Sequence, residues 1–298
     1  MPFLSFCNEQ NINLKQNETM KNHTSFKIGG NCDYFVMPEN TEQLKAIIVK
    51  AKELEIPFFV LGKGSNLLVS DNGIEGIVIS MMGLNDISVN GDEITAGAGV
   101  SVANLCNVAL QNCLSGIEFA YGIPGSVGGG LYMNCGAYGG QFSDAVVSAE
   151  YLNTDGEVVN VSAEDMCLGY RTSIFKQNGG IVLSATFKLK KDSADEIKAR
   201  MDDYMERRIT KQPLEYPSAG SVFKRPEGHF AGALIEQNNL KGVKVGGAEV
   251  SVKHAGFIIN SNNATASDVL GLMDKITNVV KQADGVELEP EIIFVGRR

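Results

Sequence analysis

The chain has 298 residues, 44% hydrophobic and 20% charged, which suits a globular protein of two or three lobes with a substantial core. A formal charge of −9 argues against nonspecific binding to nucleic acid or to an anionic membrane, because both favour a basic surface. No apolar run approaches the roughly 20 residues that span a bilayer, and the opening MPFLSFCNEQNINLK lacks a basic start followed by a long apolar stretch, so no membrane insertion and a cytoplasmic location are expected.

After a polar leader, residues 40–56 set Leu44, Ile47, Ile48, Ala51 and Leu54 on one helical face, with Asn40 or Thr41 as cap and Pro57 as stop. The apolar run 58–61 reads as a buried strand entering Gly62-Lys63-Gly64-Ser65-Asn66. Short strands follow near 76–80 and 87–96, the second divided by an Asn90-Gly91 hairpin turn. Ser101 can cap a helix carrying Val102, Leu105, Ala109 and Leu110, after which 117–138 is dominated by glycine and small residues. Strands resume at 149–152, 158–161 and 181–189, with an Asp155-Gly156 turn between the first two. Ser193-x-x-Glu196 has the form of a capping box before a charged helix running to about Arg208, and that segment is the best boundary for a third lobe. The third lobe is expected to hold a glycine-rich loop at 218–222, strands near 248–250 and 255–260, and a helix over 267–283 bearing Val269, Leu272, Ile276 and Val280.

Cys7, Cys32, Cys106, Cys113, Cys135 and Cys167 form no C-x-x-C pair, and the histidines are only His23, His229 and His254. Neither a metal site nor a disulfide framework is suggested, so reduced, mostly buried thiols are expected. Cys135 stands apart because it lies in the glycine-rich stretch, but it has no neighbouring histidine to activate it.

Two segments point to a ligand. Gly62 and Gly64 follow a strand and can let backbone N–H groups close on a phosphate, with Ser65 and Asn66 adding polar contacts; a plain structural turn explains the same residues. The segment is neither a P-loop nor the dinucleotide-binding G-x-G-x-x-G. Tyr121-Gly122-Ile123-Pro124-Gly125-Ser126-Val127-Gly128-Gly129-Gly130 is the stronger signal. Each glycine costs roughly 0.5–1 kcal/mol in a regular element, so such a run is expected where the backbone needs unusual angles or close ligand approach.

K-G-S-N-L-L, G-I-P-G-S-V-G-G, G-Y-R-T-S-I-F-K, A-G-S-V-F-K-R-P and L-E-P-E-I, in that order, resemble the motif set of the MurB family and extend over most of the chain. The resemblance implies an α+β fold: a two-lobed FAD-binding domain of the vanillyl-alcohol-oxidase (PCMH) type plus a C-terminal α+β substrate-binding domain. On that pattern the FAD-binding lobes are 1–82 and 83–192 and the substrate-binding domain 193–286, with a final strand at about 287–298 returning to the first lobe. It further implies noncovalent FAD, NADPH as reductant, and reduction of UDP-N-acetylglucosamine enolpyruvate during peptidoglycan precursor synthesis. Gly62, Gly64, Ser65, Asn66, Leu67, Pro124, Gly125, Ser126, Gly128 and Gly129 become the FAD-contact candidates, with Asn134, Gly136 and Ala137 behind them. Arg171, Ser221 and Glu291 match the family's catalytic positions. The short connection between Arg171 and Ser221 resembles the family type that lacks an inserted tyrosine-bearing loop, so no loop role passes to Tyr204 or Tyr216.

The chemistry calls for those side-chain types. Hydride delivery to the β-carbon of an enol ether conjugated with a carboxylate builds negative charge on that carboxylate. Arg171 can hold it bidentately, Glu291 can assist, and Ser221 can protonate the α-carbon. Lys224 and Arg225 can hold the UDP diphosphate, with His254 as a further candidate. Read individually, Arg171 fits a surface ion pair, Ser221 a turn hydroxyl, and Glu291 one charge in the alternating run Glu287, Glu289, Glu291. Two other readings compete: an oxidase or dehydrogenase of the same fold, which would need a base and often a His or Cys flavin tether, and a nucleotide-binding module without catalysis.

Overall fold

Helices form where an apolar period of 3.6 meets a cap and a breaker. In the computed structural model, which describes residues 2–297, the helix Thr41–Glu53 starts where the Asn40 side chain accepts from the Gln43 amide and buries Leu44, Ile47, Ile48 and Ala51. Ser101 caps Val102–Gln111 in the same way. A Thr265/Asp268 capping box opens Ala266–Asp284, and Gly285 in the left-handed conformation closes it. The charged helix Ala194–Lys211 starts beside Ser193, whose hydroxyl accepts from the Glu196 amide at 3.2 Å, and continues past Arg208 to Lys211.

The chain divides into two compact units. One takes residues up to Lys15, then Tyr34–Lys63 and Gly76–Arg208; the other takes Gln16–Asp33, Gly64–Glu75 and residues from Ile209 onward. In the first unit an antiparallel sheet orders its strands Val158–Ser162, Val146–Leu152, Ile181–Lys188, Glu93–Gly97 and Ile87–Asn90. Phe58–Leu61 pairs in parallel with Ile77 to Ser80. One apolar cluster runs from Phe3 to Met201, so stretches of both 1–82 and 83–192 share it.

The second unit has its own core and an antiparallel sheet ordered Ser218–Ser221, Phe257–Asn260, Ala248–Val250 and Lys244–Val245. Val269, Leu272, Ile276 and Val280 bring the long helix into one apolar cluster with Ala219, Val250 and Ile258. Ile293–Val295 pairs in parallel with Leu67–Val69, so the C-terminal strand lies beside the one that follows Gly64-Ser65-Asn66.

Several local expectations are corrected. The polar leader contains the helix Pro2–Glu9, anchored by buried Phe3 and Cys7, and is followed by strands Asn13–Thr19 and Asn31–Met37. The expected loop at 218–222 begins with a strand. Asn90 pairs with Glu93, so the two-residue hairpin loop is Gly91-Asp92, one position later than expected. All six cysteines are free; Cys113 and Cys167 are exposed and the other four buried. Among the described residues no helix is long and apolar enough to cross a membrane.

Candidate active site

In the first unit, the strand Phe58–Leu61 delivers Gly62 against the second glycine segment: a Cβ on Gly62 would sit 2.5 Å from the Ser126 Oγ. The two glycine segments therefore touch, and a side chain at Gly62 would have to displace the Ser126 hydroxyl. Ser126 caps a short helix, Val127–Tyr132, its hydroxyl accepting from the Gly129 amide at 3.4 Å. Backbone bonds moor this segment: Val102 N to Gly125 O at 3.1 Å, Val127 N to Val100 O at 2.8 Å, and Gly128 N to Ala98 O at 2.9 Å. Pro124 and Gly129 remain exposed, and Gly125, Gly136 and Ala137 partly so. Gly136 and Ala137 form one arm of a tight hairpin paired with Gly140–Gln141.

Arg171 lies in the same unit, at the tip of a turn in which Gly169 and Thr172 exchange backbone hydrogen bonds of 3.2 and 3.3 Å. Its φ of 56° is left-handed, a conformation that costs a residue with a Cβ roughly 1–3 kcal/mol. The Lys176 Nζ donates to the Arg171 carbonyl at 3.3 Å, and the guanidinium lies 5.3 Å from the Tyr170 ring centroid. Burial pushes the pKa of the neighbouring Cys135 thiol up to about 12, against the opposing field of Arg171, which disfavours the thiolate that a nucleophile needs.

Sequence reasoning did not single out Arg208, whose Cδ would lie 2.7 Å from a Cβ on Gly122. Burial holds its guanidinium below the usual arginine value, with Tyr138 opposing the shift. Tyr138 itself stacks on Tyr204 with centroids 5.0 Å apart. The sequence signal for this group was weak: an arginine in a charged helix usually means a solvated face.

The second unit brings together Asn66, Ser221, Lys224, Glu291 and the segment around His254. Val222 donates to the Gly256 carbonyl at 2.9 Å, and its own carbonyl accepts from the Glu291 amide at 2.7 Å. Lys224 N donates to Glu289 O at 2.8 Å, and Phe223 and Pro290 form an antiparallel bridge. Asn66 joins the same place: its Nδ2 donates to the Glu291 carbonyl at 3.1 Å, and its carbonyl accepts from Ile293 N at 2.9 Å. The Lys224 ammonium pairs with Glu289 at 2.9 Å, a partner the sequence reading saw only as part of an alternating acidic run. The Arg225 guanidinium lies 4.0 Å from the Phe230 ring centroid. His254 Nδ1 accepts from the Gly256 amide at 3.1 Å, which leaves Nε2 as the protonated nitrogen. Burial lowers the His254 pKa and Lys241 adds to this, so the ring is neutral near pH 7.

Two family profiles match the chain: an FAD-binding domain over residues 32–162, and the C-terminal domain of UDP-N-acetylenolpyruvoylglucosamine reductase over 212–295. The first profile and the α+β architecture place the chain among FAD-binding proteins. The chain is 50% identical to UDP-N-acetylenolpyruvoylglucosamine reductase of Clostridium novyi, over 95% of this chain and 92% of the relative. The Clostridium tetani enzyme gives the same identity and coverage. The crystal structure of the Thermus caldophilus enzyme, 35% identical, aligns with a TM-score of 0.81 over 95% of this chain and 98% of that one. The chain belongs to the UDP-N-acetylenolpyruvoylglucosamine reductase family of peptidoglycan precursor synthesis.

FAD fits the residues present. The abutting glycine segments at Gly62 and Ser126 give a side-chain-poor backbone surface of the kind a pyrophosphate needs.

Proposed function

We propose that the chain reduces UDP-N-acetylglucosamine enolpyruvate to UDP-N-acetylmuramate with NADPH, through noncovalent FAD, in the cytoplasm. The observation that carries this reading is the joint in the second unit, where the Val222 carbonyl accepts from the Glu291 amide at 2.7 Å. The residue next to Ser221 is thus bonded to the backbone of Glu291, so a hydroxyl-bearing and a carboxylate-bearing residue from distant parts of the sequence lie close along the chain's path, which supports a site that pairs protonation with a charged intermediate.

Residues 1–82 and 83–192 act as the FAD-binding lobes and 193–286 as the substrate-binding domain, with 287–298 returning to the first lobe. Gly62, Gly64, Ser65, Asn66, Leu67, Pro124, Gly125, Ser126, Gly128 and Gly129 hold the cofactor, with Gly136 and Ala137 at its edge. Bound FAD supplies the hydride for the enolpyruvyl β-carbon once NADPH has reduced it. Arg171 grips the substrate carboxylate with its planar fork and stabilises the charge that develops there. Glu291 assists at the same carboxylate, and Ser221 gives its proton to the α-carbon. Lys224 and Arg225 hold the UDP diphosphate, while His254 contributes as a neutral Nε2–H donor rather than as a cation.

Anaerobic stopped-flow separates the two half-reactions. Ser221→Ala is expected to keep flavin reduction by NADPH while slowing reoxidation by the UDP-enolpyruvyl sugar by about 10²–10⁴-fold, the usual worth of a general acid. Arg171→Lys should slow the same half-reaction by losing the fork. Colourless protein without FAD affinity, or equal loss in both half-reactions, overturns the assignment.

A further inference from the structure

Arg171 sits on left-handed backbone, at φ 56°, and something must hold it there. The turn is fastened on both sides to one short stretch. On its N-terminal side, Asn134 Nδ2 donates to the Gly169 carbonyl at 3.2 Å. On its C-terminal side, the Ser173 hydroxyl donates to the Tyr132 carbonyl at 2.8 Å. Tyr132 ends the short helix of the second glycine segment, and Asn134 follows two residues later.

Asn134 is itself tightly set. It is 2% exposed and left-handed at φ 43°, a conformation asparagine tolerates better than most residues. Its Oδ1 accepts from the Ser143 amide at 3.0 Å, and Nδ2 also lies 3.3 Å from Gln141 Oε1 and 3.4 Å from Ser143 Oγ. Ser173 is fully buried. Side chains committed in this way reach across the protein interior and have little left for a ligand.

We infer that Asn134 and Ser173 are positioning residues: they clamp the Arg171 turn to the end of the cofactor segment, so that the guanidinium and the flavin site keep a fixed relation within the first unit. Asn134 therefore acts through Arg171 rather than as an FAD contact. The inference rests on the role proposed for Arg171.

The test compares Asn134→Asp, Ser173→Ala and Arg171→Ala as FAD-loaded proteins. Asn134→Asp keeps the acceptor for Ser143 but turns a carboxylate oxygen toward the Gly169 carbonyl. Each clamp variant should bind FAD and be reduced by NADPH as the parent does, yet reduce the UDP-enolpyruvyl sugar about 10- to 100-fold more slowly, as expected when a binding group is misplaced by about an ångström. Adding either clamp change to Arg171→Ala should cause no further loss, because both changes act through one group. Hydrogen exchange at the Thr172 amide, bonded to Gly169, should speed up in both clamp variants. Loss of FAD affinity in step with turnover would return Asn134 to the cofactor site and overturn the inference; so would full additivity with Arg171→Ala, or parental turnover in both variants. If Asn134→Asp fails to fold, Ser173→Ala decides alone. Parental turnover by Arg171→Ala alone would instead remove the proposed role of Arg171, with Thr172 exchange still reporting whether the clamp exists.

Discussion

The two units assemble their candidate site residues by opposite means. In the first, Arg171 is held by side chains: Asn134 and Ser173 reach for backbone carbonyls on either side of a left-handed turn. In the second, Ser221 and Glu291 are joined mainly by backbone, through Val222 to Glu291 and Lys224 to Glu289. A side-chain fastening is specific and can be deleted by one substitution, whereas a backbone fastening survives most side-chain changes and fails only when the chain's path is altered. The first unit should therefore be sensitive to side-chain deletion, and the second to added atoms.

The largest effect should come from Gly64→Ala. At φ 63° a Cβ is strained, and this one would also lie 2.1 Å from the His23 carbonyl oxygen, which is backbone and cannot swing away. Strain and overpacking together should cost roughly 2–6 kcal/mol, read as a fall in thermal midpoint. Gly220→Ala is the control: φ is 79° but nothing lies within 4 Å, so only the strain should appear. Equal effects at the two positions would break the idea that the backbone's path sets the second unit's geometry.

Next in size is a side-chain fastening of the first unit. Glu118, 7% exposed, accepts from Ser115 Oγ and the Gly116 amide at 2.8 Å each and from Arg200 Nη2 at 2.9 Å, tying the helix Ala194–Lys211 to the segment before the second glycine run. Burial pushes its pKa up, but these hydrogen bonds, with that of its own amide, outweigh burial and leave it below the ordinary glutamate value. A lowered folded pKa means stability that is present above the unfolded value, about 4.3, and is lost as pH falls through the folded one. Glu118→Gln should cost about 1–3 kcal/mol near pH 7 and flatten the acid limb of the thermal midpoint against pH. An unchanged acid limb would show that other carboxylates carry it.

How far the sequence reaches follows the same division. The helices Thr41–Glu53, Val102–Gln111 and Ala266–Asp284 were legible because cap, apolar period and stop lie within one window. Val127–Tyr132 was not: three successive glycines argue against a helix, yet Ser126 caps it and the buried backbone of Gly128 and Gly130 packs against Ala98 and Phe142. Pro2–Glu9 offers little more than Phe3 and Cys7 as a face, too short a pattern to separate from a polar leader. Arg171, Ser221 and Glu291 could be named from motifs, but the left-handed turn, the Asn134 clamp and the Asn66–Glu291 bond could not. Those depend on partners brought together only by the fold, up to 225 positions apart.

The smallest effect should come from the exposed ion pair in the joint of the second unit, Lys224 to Glu289. Its groups are 39% and 71% exposed, so water screens the pair and the long side chains lose rotamer freedom in making it. Glu289→Gln should lower stability by less than about 1 kcal/mol by chemical denaturation. The Lys224 N to Glu289 O and Glu291 N to Val222 O bonds do not involve that carboxylate and should persist as slowly exchanging amides. Rapid exchange of the Glu291 amide in this variant would mean that the ion pair, rather than the backbone, holds Ser221 beside Glu291, and the contrast between the units would fail at its weakest predicted point.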